Sequence, residues 1–283
     1  MTETTPVTST QLSLIDESFD VKNSGAYHLS VLIDKKHFAY SLLDSKTNKY
    51  IALYASSPVD EEAVLESLSL QLKSISFNSV TCALATHKFT IVPTALFEEE
   101  NKNLLFHFCY DVADTEEVCM NNMKNLNAKN IFSIPKKAGD FIKKTFSNAR
   151  IIHSSGSFIE GLLLLNKNNS EKKVYADFHS NYFELVILEG RNLLLSNTFK
   201  YKTAEDIAYY ILFVYEQLGL NPEEIELILS GLIEKASAEH SLLFSYIRHV
   251  KFASLPDTFK YTYKIESIQP HTYFSLFNQY LCV

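Results

Sequence analysis

Residues 174–199 read VYADFHSNYFELVILEGRNLLLSNTF, and the fold is decided there. Three apolar runs, Val174 to Asp177, Tyr182 to Leu188 and Leu193 to Phe199, are parted by His179-Ser180-Asn181 and by Glu189-Gly190-Arg191-Asn192. Both partings hold residues that hairpin turns take, so the stretch is a three-strand antiparallel meander. Thr203-Ala204-Glu205-Asp206 then caps a helix with Ile207, Tyr210, Ile211, Val214 and Leu218 on one face and a stop near Gly219. Ile225 to Leu229 follows as a fourth strand. The order is β-β-β-α-β.

The same order occurs about 145 residues upstream, at low identity, so the duplication is one of pattern. Leu29 to Ile33, Phe38 to Leu43 and Tyr50 to Tyr54 turn at Asp34-Lys35-Lys36-His37 and at Asp44 to Lys49. Ser57-Pro58-Val59-Asp60 opens a helix that keeps Val64, Leu65, Leu68, Leu72 and Ile75 at helical spacing, and Val80 to Ala85 is the strand after it. Phe89 to Pro93, Leu104 to Tyr110, Ile131 to Ile134 and Ile151 to His153 read as further strands. Lys136 to Phe146 and Ser157 to Leu165 read as helices, the second with Ser157 and Glu160 in capping-box positions. The polar run Lys167 to Lys172 divides a first domain, residues 1–167, from a second, residues 168–283. Residues 1–25 are expected as a tail free to be flexible. Tyr273, Phe274, Phe277, Tyr280 and Leu281 form an apolar face on a helix starting near Pro270, expected to dock across both domains.

At 283 residues the chain is too long for one ordinary core, and 46% hydrophobic with 21% charged residues describes a globular protein. The net charge of −7 disfavours nonspecific nucleic-acid binding. One basic stretch, Lys124 to Arg150, carries Lys136, Lys137, Lys143 and Lys144 against Asp140 alone, and is a solvated helix face or a docking patch. Cys82, Cys109, Cys119 and Cys282 form no CxxC and are expected as buried free thiols in a reducing compartment. No secretory signal and no apolar run long enough to span a bilayer is visible, so the cytoplasm is the expected location. No two of the seven glycines lie within four residues, and neither GxGxxG nor GxxxxGK[ST] is present. The histidines make no HExxH or HxH, and His107 and His153, in apolar runs, read as core or edge residues. Ser154 to Gly161 lacks the G-x-S-x-G spacing of a serine nucleophile.

Two β-β-β-α-β units in one chain resemble the actin/Hsp70/sugar-kinase superfamily. The expected fold class is therefore α/β, with two ribonuclease H-like domains in an actin-like ATPase arrangement. Within it, the chain looks like a bacterial family of unknown function, a likeness that runs nearly throughout and includes the ending His271 to Leu281. In active members both phosphate loops read Asp-x-Gly-x-x-[Ser/Thr]. Asp177-Phe178-His179-Ser180-Asn181 keeps the acid but has His179 in place of glycine, and Leu32 to His37 has neither glycine nor an acid at the matching position. The adenosine motif is echoed by Leu229-Ser230-Gly231 and the connecting motif by Ser154-Ser155-Gly156-Ser157.

A bulky side chain at a phosphate-loop glycine obstructs backbone approach. The resemblance with these departures implies a non-catalytic protein-interaction or scaffold module with a degenerate cleft, an unidentified protein partner and no cofactor. The interaction candidates are the four lysines above with Tyr273 and Phe277. The alternative is an actin-like ATPase or weak Mg-ATP binder using Asp177, Ser180, Asn181, Ser230 and Gly231, with Asp177 organising the magnesium. A ribonuclease H-like nuclease would draw on Asp177, Glu205 and Asp206, but the fourth strand ends in Ser230-Gly231 without the acid that two-metal chemistry needs.

Overall fold

The computed structural model describes residues 11–35, 37–57 and 61–282. The Thr- and Ser-rich start, Lys36 of the first turn, and Pro58, Val59 and Asp60 of the expected helix start lie outside the described residues. The elements run β1 (Gln11–Ile15), β2 (Tyr27–Asp34), β3 (His37–Asp44), β4 (Lys49–Ser56), α1 (Glu61–Leu72) and β5 (Ser79–Leu84). An insertion follows with β6 (Phe89–Pro93), α2 (Lys102–His107), β7 (Glu116–Met123) and β8 (Ala128–Pro135), then α3 (Lys136–Thr145), β9 (Ala149–His153) and α4 (Ser154–Leu165). The second copy has β10 (Lys172–Phe178), β11 (Tyr182–Glu189), β12 (Asn192–Lys200), α5 (Ala204–Gln217), β13 (Leu227–Gly231), α6 (Ala238–Tyr246) and β14 (Val250–Phe252). The chain closes through β15 (Lys260–Tyr261), α7 (Tyr263–Glu266) and α8 (Phe274–Phe277).

The two main sheets repeat one topology. In the first the path β4-β3-β2-β5-β9 is extended by β1 beyond β4; in the second it is β12-β11-β10-β13-β14. The first three strands of each copy pair antiparallel, and the fourth and fifth run parallel to the first. This is the ribonuclease H-like order, twice. The central strands β2 and β10 are buried on both faces because both faces are covered. On one side of the first sheet lie α1 and α3, through Val64, Leu68, Ala138 and Ile142; α5 and α6 do the same for the second, through Ile207, Ile211 and Leu243.

The facing sides of the sheets share a filling. Phe158, Ile159 and Leu162 of α4 pack with Tyr175, Val186 and Phe274, and Tyr273, Leu276 and Phe277 pack with Tyr50, Leu32 and Ala83. Helix α4 crosses the C-terminal segment so closely that a Cβ on Gly161 would stand 2.4 Å from the Asn278 side chain. His153 caps α4, its Nδ1 accepting from the Ser155 N–H while Nε2 meets the Thr86 carbonyl at 2.9 Å.

Several expectations change. Leu104 to Tyr110 is no strand: Leu104, Leu105 and Phe106 fall on α2, where Phe106 alone is buried, and His107 at its end is exposed. Ser157 does not cap α4, because the helix starts three residues earlier, and Glu160 accepts from Asn125 instead. The fourth strand of the second copy is shifted to Leu227–Gly231. Cys109 is exposed, whereas Cys82 is buried. Within the expected tail, Gln11–Ile15 pairs along β4. The ending is not one helix but a 3-10 turn at Pro270–Tyr273, the single turn α8 and a 3-10 turn at Gln279–Cys282. The second-copy cap is found as read, Thr203 and Asp206 forming a reciprocal capping box.

The Gly161–Asn278 crossing gives a direct test. Gly161→Val destabilises the chain by about 1–3 kcal/mol, the ordinary cost of overpacking, and Asn278→Ala in the same chain recovers part of it. Denaturant unfolding of the single and double variants reads both.

Candidate functional site

The site grows from one row of side chains across the second sheet. Register places Glu184 of β11 and Ser230 of β13 directly beside Asp177 of β10. Neighbouring strands in register point these side chains to one face, so two carboxyl groups meet there in a buried setting. Burial, then the Asp177 carboxylate, hold Glu184 well above the usual carboxylate range. Asp177 is 3% exposed, and both oxygens are engaged: Ser230 Oγ donates to Oδ1 and Ser275 Oγ, from α8, to Oδ2, each at 2.8 Å.

The turn after β10 faces the turn after β2. Asp34, buried at the end of β2, accepts from the Ser180 N–H at 3.1 Å and from Ser180 Oγ at 2.8 Å, both through Oδ2. The two hairpin turns thus bond directly to one another. Pairing matches the hairpin Asp34–His37 to His179–Tyr182, so Asp34 corresponds to His179, and Leu32 to Asp177. The acid is therefore absent from the matching first-copy position, as read, yet Asp177 is not the sole carboxylate: Asp34, two residues on, reaches the same place. The equivalent first-copy row, Leu32 with Ala39 and Ala83, is apolar and lies under Leu276 and Phe277.

His179 stands between the carboxylates, Nδ1 3.8 Å from Asp34 and Nε2 3.6 Å from Asp177, with its ring stacked on Tyr182 at 4.4 Å between centroids. Burial, then Asp34, Glu184 and Asp177, push the Tyr182 phenol well above its usual value. Gly231 has φ +78°, and a Cβ there would stand 2.2 Å from the Phe178 carbonyl; the neighbouring strand accounts for this glycine.

The structure brings Asp177, Ser180, Ser230 and Gly231 together, and adds Asp34, Glu184, His179 and Ser275. Asn181 stands apart from them, on a cleft of about 350 Å³ that Asp34, Lys35, His87, Lys88, Tyr182 and Lys200 also line. Tyr273 and Phe277 are not surface residues: they are buried against Tyr50, Tyr261 and one another, because the apolar first-copy face needs cover. Lys136, Lys137, Lys143 and Lys144 are exposed, with Lys136 donating to the Asp114 carbonyl and Lys143 3.4 Å from Glu117. Glu205 lies at the start of α5 and Asp206 is engaged in its cap, on the far side of the strands' row. Among the described residues no three His, Cys, Asp or Glu side chains gather to hold a metal ion, and no helix is long and apolar enough to cross a membrane. Asp34 is visible in the sequence as an acid opening a hairpin turn, and Glu184 as the residue opposite Asp177 once the four-residue turn is placed.

The model of a protein family of unknown function, DUF3822, matches residues 16–250. The chain belongs to that family. It is similar to a protein from Bacteroides thetaiotaomicron VPI-5482 with an actin-like ATPase fold and unknown function, at 26% identity over 94% of this chain and 99% of the other, with a TM-score of 0.80. A type IV pilus biogenesis complex, PilM–PilN, matches at 12% identity over 90% of this chain and 97% of the other, with a TM-score of 0.61, which shows the fold alone. No curated protein matches in sequence. The fold is thus actin-like, as the duplicated order implied.

The buried titrating groups set a pH dependence. Burial lowers His28 to about 4 and His153 to about 3, so between those values and 6.5 the unfolded chain binds protons that the folded chain does not. Stability therefore falls as pH drops below 6.5. Glu184, raised above its ordinary 4.5, acts in the opposite sense, its contribution falling as pH rises above that value. Burial also lowers His37 and His271, so the histidines outweigh Glu184 and stability falls on acidification between roughly 6.5 and 4.5. Urea midpoints across this range should fall with pH, more steeply in Glu184→Gln and less steeply in His153→Gln.

Proposed function

We propose that the protein is a non-catalytic actin-like module whose inter-domain cleft is closed by its own side chains, and which works through contacts with a protein partner. One observation carries the reading. The Ser180 N–H and hydroxyl, the donors expected to face a phosphate, are taken by the Asp34 carboxylate. The residues do not fit a magnesium–phosphate group well: both Asp177 oxygens accept from protein hydroxyls, and the His179 ring lies between Asp177 and Asp34. The fold relative PilM occurs in a complex with PilN, which supports protein contact as a use of this architecture. We place the protein in the cytoplasm, without nucleic acid, and set the boundary between its domains at Lys167 to Lys172.

The alternative, an actin-like ATPase or weak Mg-ATP binder, has Lys35 and Lys200 on the cleft in its favour, beside the acids Asp34 and Glu116. The two readings separate in thermal unfolding. A ligand near its dissociation constant stabilises by about 0.4 kcal/mol, so millimolar Mg-ATP should raise Tm by less than about 2 °C, with no phosphate released. A larger shift that Asp177→Ala abolishes, or measured turnover, would falsify the proposed reading. In the same assay Asp34→Ala should cost about 1–3 kcal/mol, since Ser180 loses its acceptor for two donors.

A further inference from the structure

The second sheet ends at β12 and the three-stranded insertion, ordered β6-β8-β7, ends at β6; among the described residues neither edge pairs with another strand. Both edges border one groove of about 850 Å³. All of Leu193 to Lys200 lines it from one side, and His87, Phe89 and Ile91 from the other. At one end Thr198 Oγ1 donates to the His87 carbonyl at 2.8 Å, pinning the two walls together. Leu194 on the groove is 44% exposed. Unpaired strand edges carry main-chain donors and acceptors in a row, and proteins usually blunt or cover them.

We propose that this groove takes an extended segment of a partner protein, which adds to β12 as a further strand, with apolar residues at alternate positions and an acidic residue at the end near Lys200. Strand addition satisfies the edge's main-chain groups and makes affinity largely independent of side chains, while alternate pockets set the sequence preference. The apolar preference follows from Leu194, Phe89 and Ile91. The acidic residue follows from charge: no Asp or Glu lines the groove, whereas Lys200 does. His87, on the same groove, is held below its usual pKa first by burial and then by Lys200 and Lys88. A carboxylate placed there is attracted by Lys200, whereas Lys88 is already paired with Glu116. The proposal rests on the interaction role above and names the chemistry of its partner; the groove shares His87 and Lys200 with the cleft beside Asp34 and runs from there along β12.

The probe is a displayed library of random ten-residue peptides selected on the full chain, with the enriched peptides then synthesised. The expected result is a set with alternating apolar residues and a terminal acid. These peptides should slow amide hydrogen exchange in residues 192–200 and protect the exposed Cys109, on the same groove, from alkylation. N-methylation of alternate peptide amides should abolish binding, and Lys200→Glu should weaken it about tenfold. An absence of enriched peptides, indifference to N-methylation, or slowed exchange at β12 that tracks dimerisation of this chain without peptide overturns the proposal. Peptides that bind tightly but protect another surface overturn the groove and leave the interaction role standing.

Discussion

A carboxylate taken out of water has to find its donors inside the protein, and Asp177 finds them in two distant parts of the chain. Ser230 comes from the adjacent strand and Ser275 from a segment 98 residues further on. The second bond fixes α8 over the end of β10, and the remainder of the ending follows. Tyr50 Oη donates to the Phe277 carbonyl at 2.6 Å, Gln279 Nε2 to the Val31 carbonyl at 3.1 Å, and His271 meets the Ile233 carbonyl at 2.8 Å. The C-terminal segment is thereby held by both sheets at once. A buried polar row in one copy and an apolar row in the other make the two ends of the same tether.

The duplication explains the fold, and its asymmetry explains the site. In the second copy the row is Glu184, Asp177 and Ser230; in the first it is Ala39, Leu32 and Ala83. Two small alanines leave room that Leu276 and Phe277 occupy. The acid lost from the row returns two residues later as Asp34, whose partner is Ser180 of the other hairpin. Asp177 therefore holds its own sheet to the C-terminal segment, and Asp34 ties the two hairpin turns together.

Most of this architecture is legible in the residues. Hairpin turns separate the strands at His179–Asn181 and Glu189–Asn192, and the Thr203–Asp206 box starts α5 where polarity and capping agree. What fails is short and amphipathic: Leu104 to Tyr110 is apolar enough for a strand, but only Phe106 finds a core. The start of α4 is misplaced because His153, an imidazole, accepts the capping hydrogen bond that Ser157 was expected to take. At the site, Asp177, Ser180, Ser230 and Gly231 are legible from motif positions. Asp34 shows only as an acid opening a turn; a motif comparison looks at the aligned position, and its bond to Ser180 spans 146 residues. Tyr273 and Phe277 mislead for a related reason: an aromatic face at helical spacing looks the same whether a partner or the chain's own sheet covers it.

The same contacts bear on motion. Domains that close on a ligand need an open state in which the facing groups are satisfied by water or ligand. Here the facing groups satisfy each other, Ser180 with Asp34 between the hairpin turns, and α4 packs tightly on the C-terminal segment at Gly161 and Asn278. Opening the cleft would expose Asp34 and Ser180 and also pull on the C-terminal segment, whose Phe277 sits on Tyr50 of the first sheet while Phe274 packs with Tyr175 and Val186 of the second, so polar and apolar costs arise together. Water would compensate the first and not the second. A ligand could drive that opening only by binding the open state better than these contacts hold the closed one. The edges of β6 and β12 demand no such rearrangement, because their main-chain groups already face a groove. Under the proposed reading, that difference in cost favours the sheet edges over the cleft for recognition.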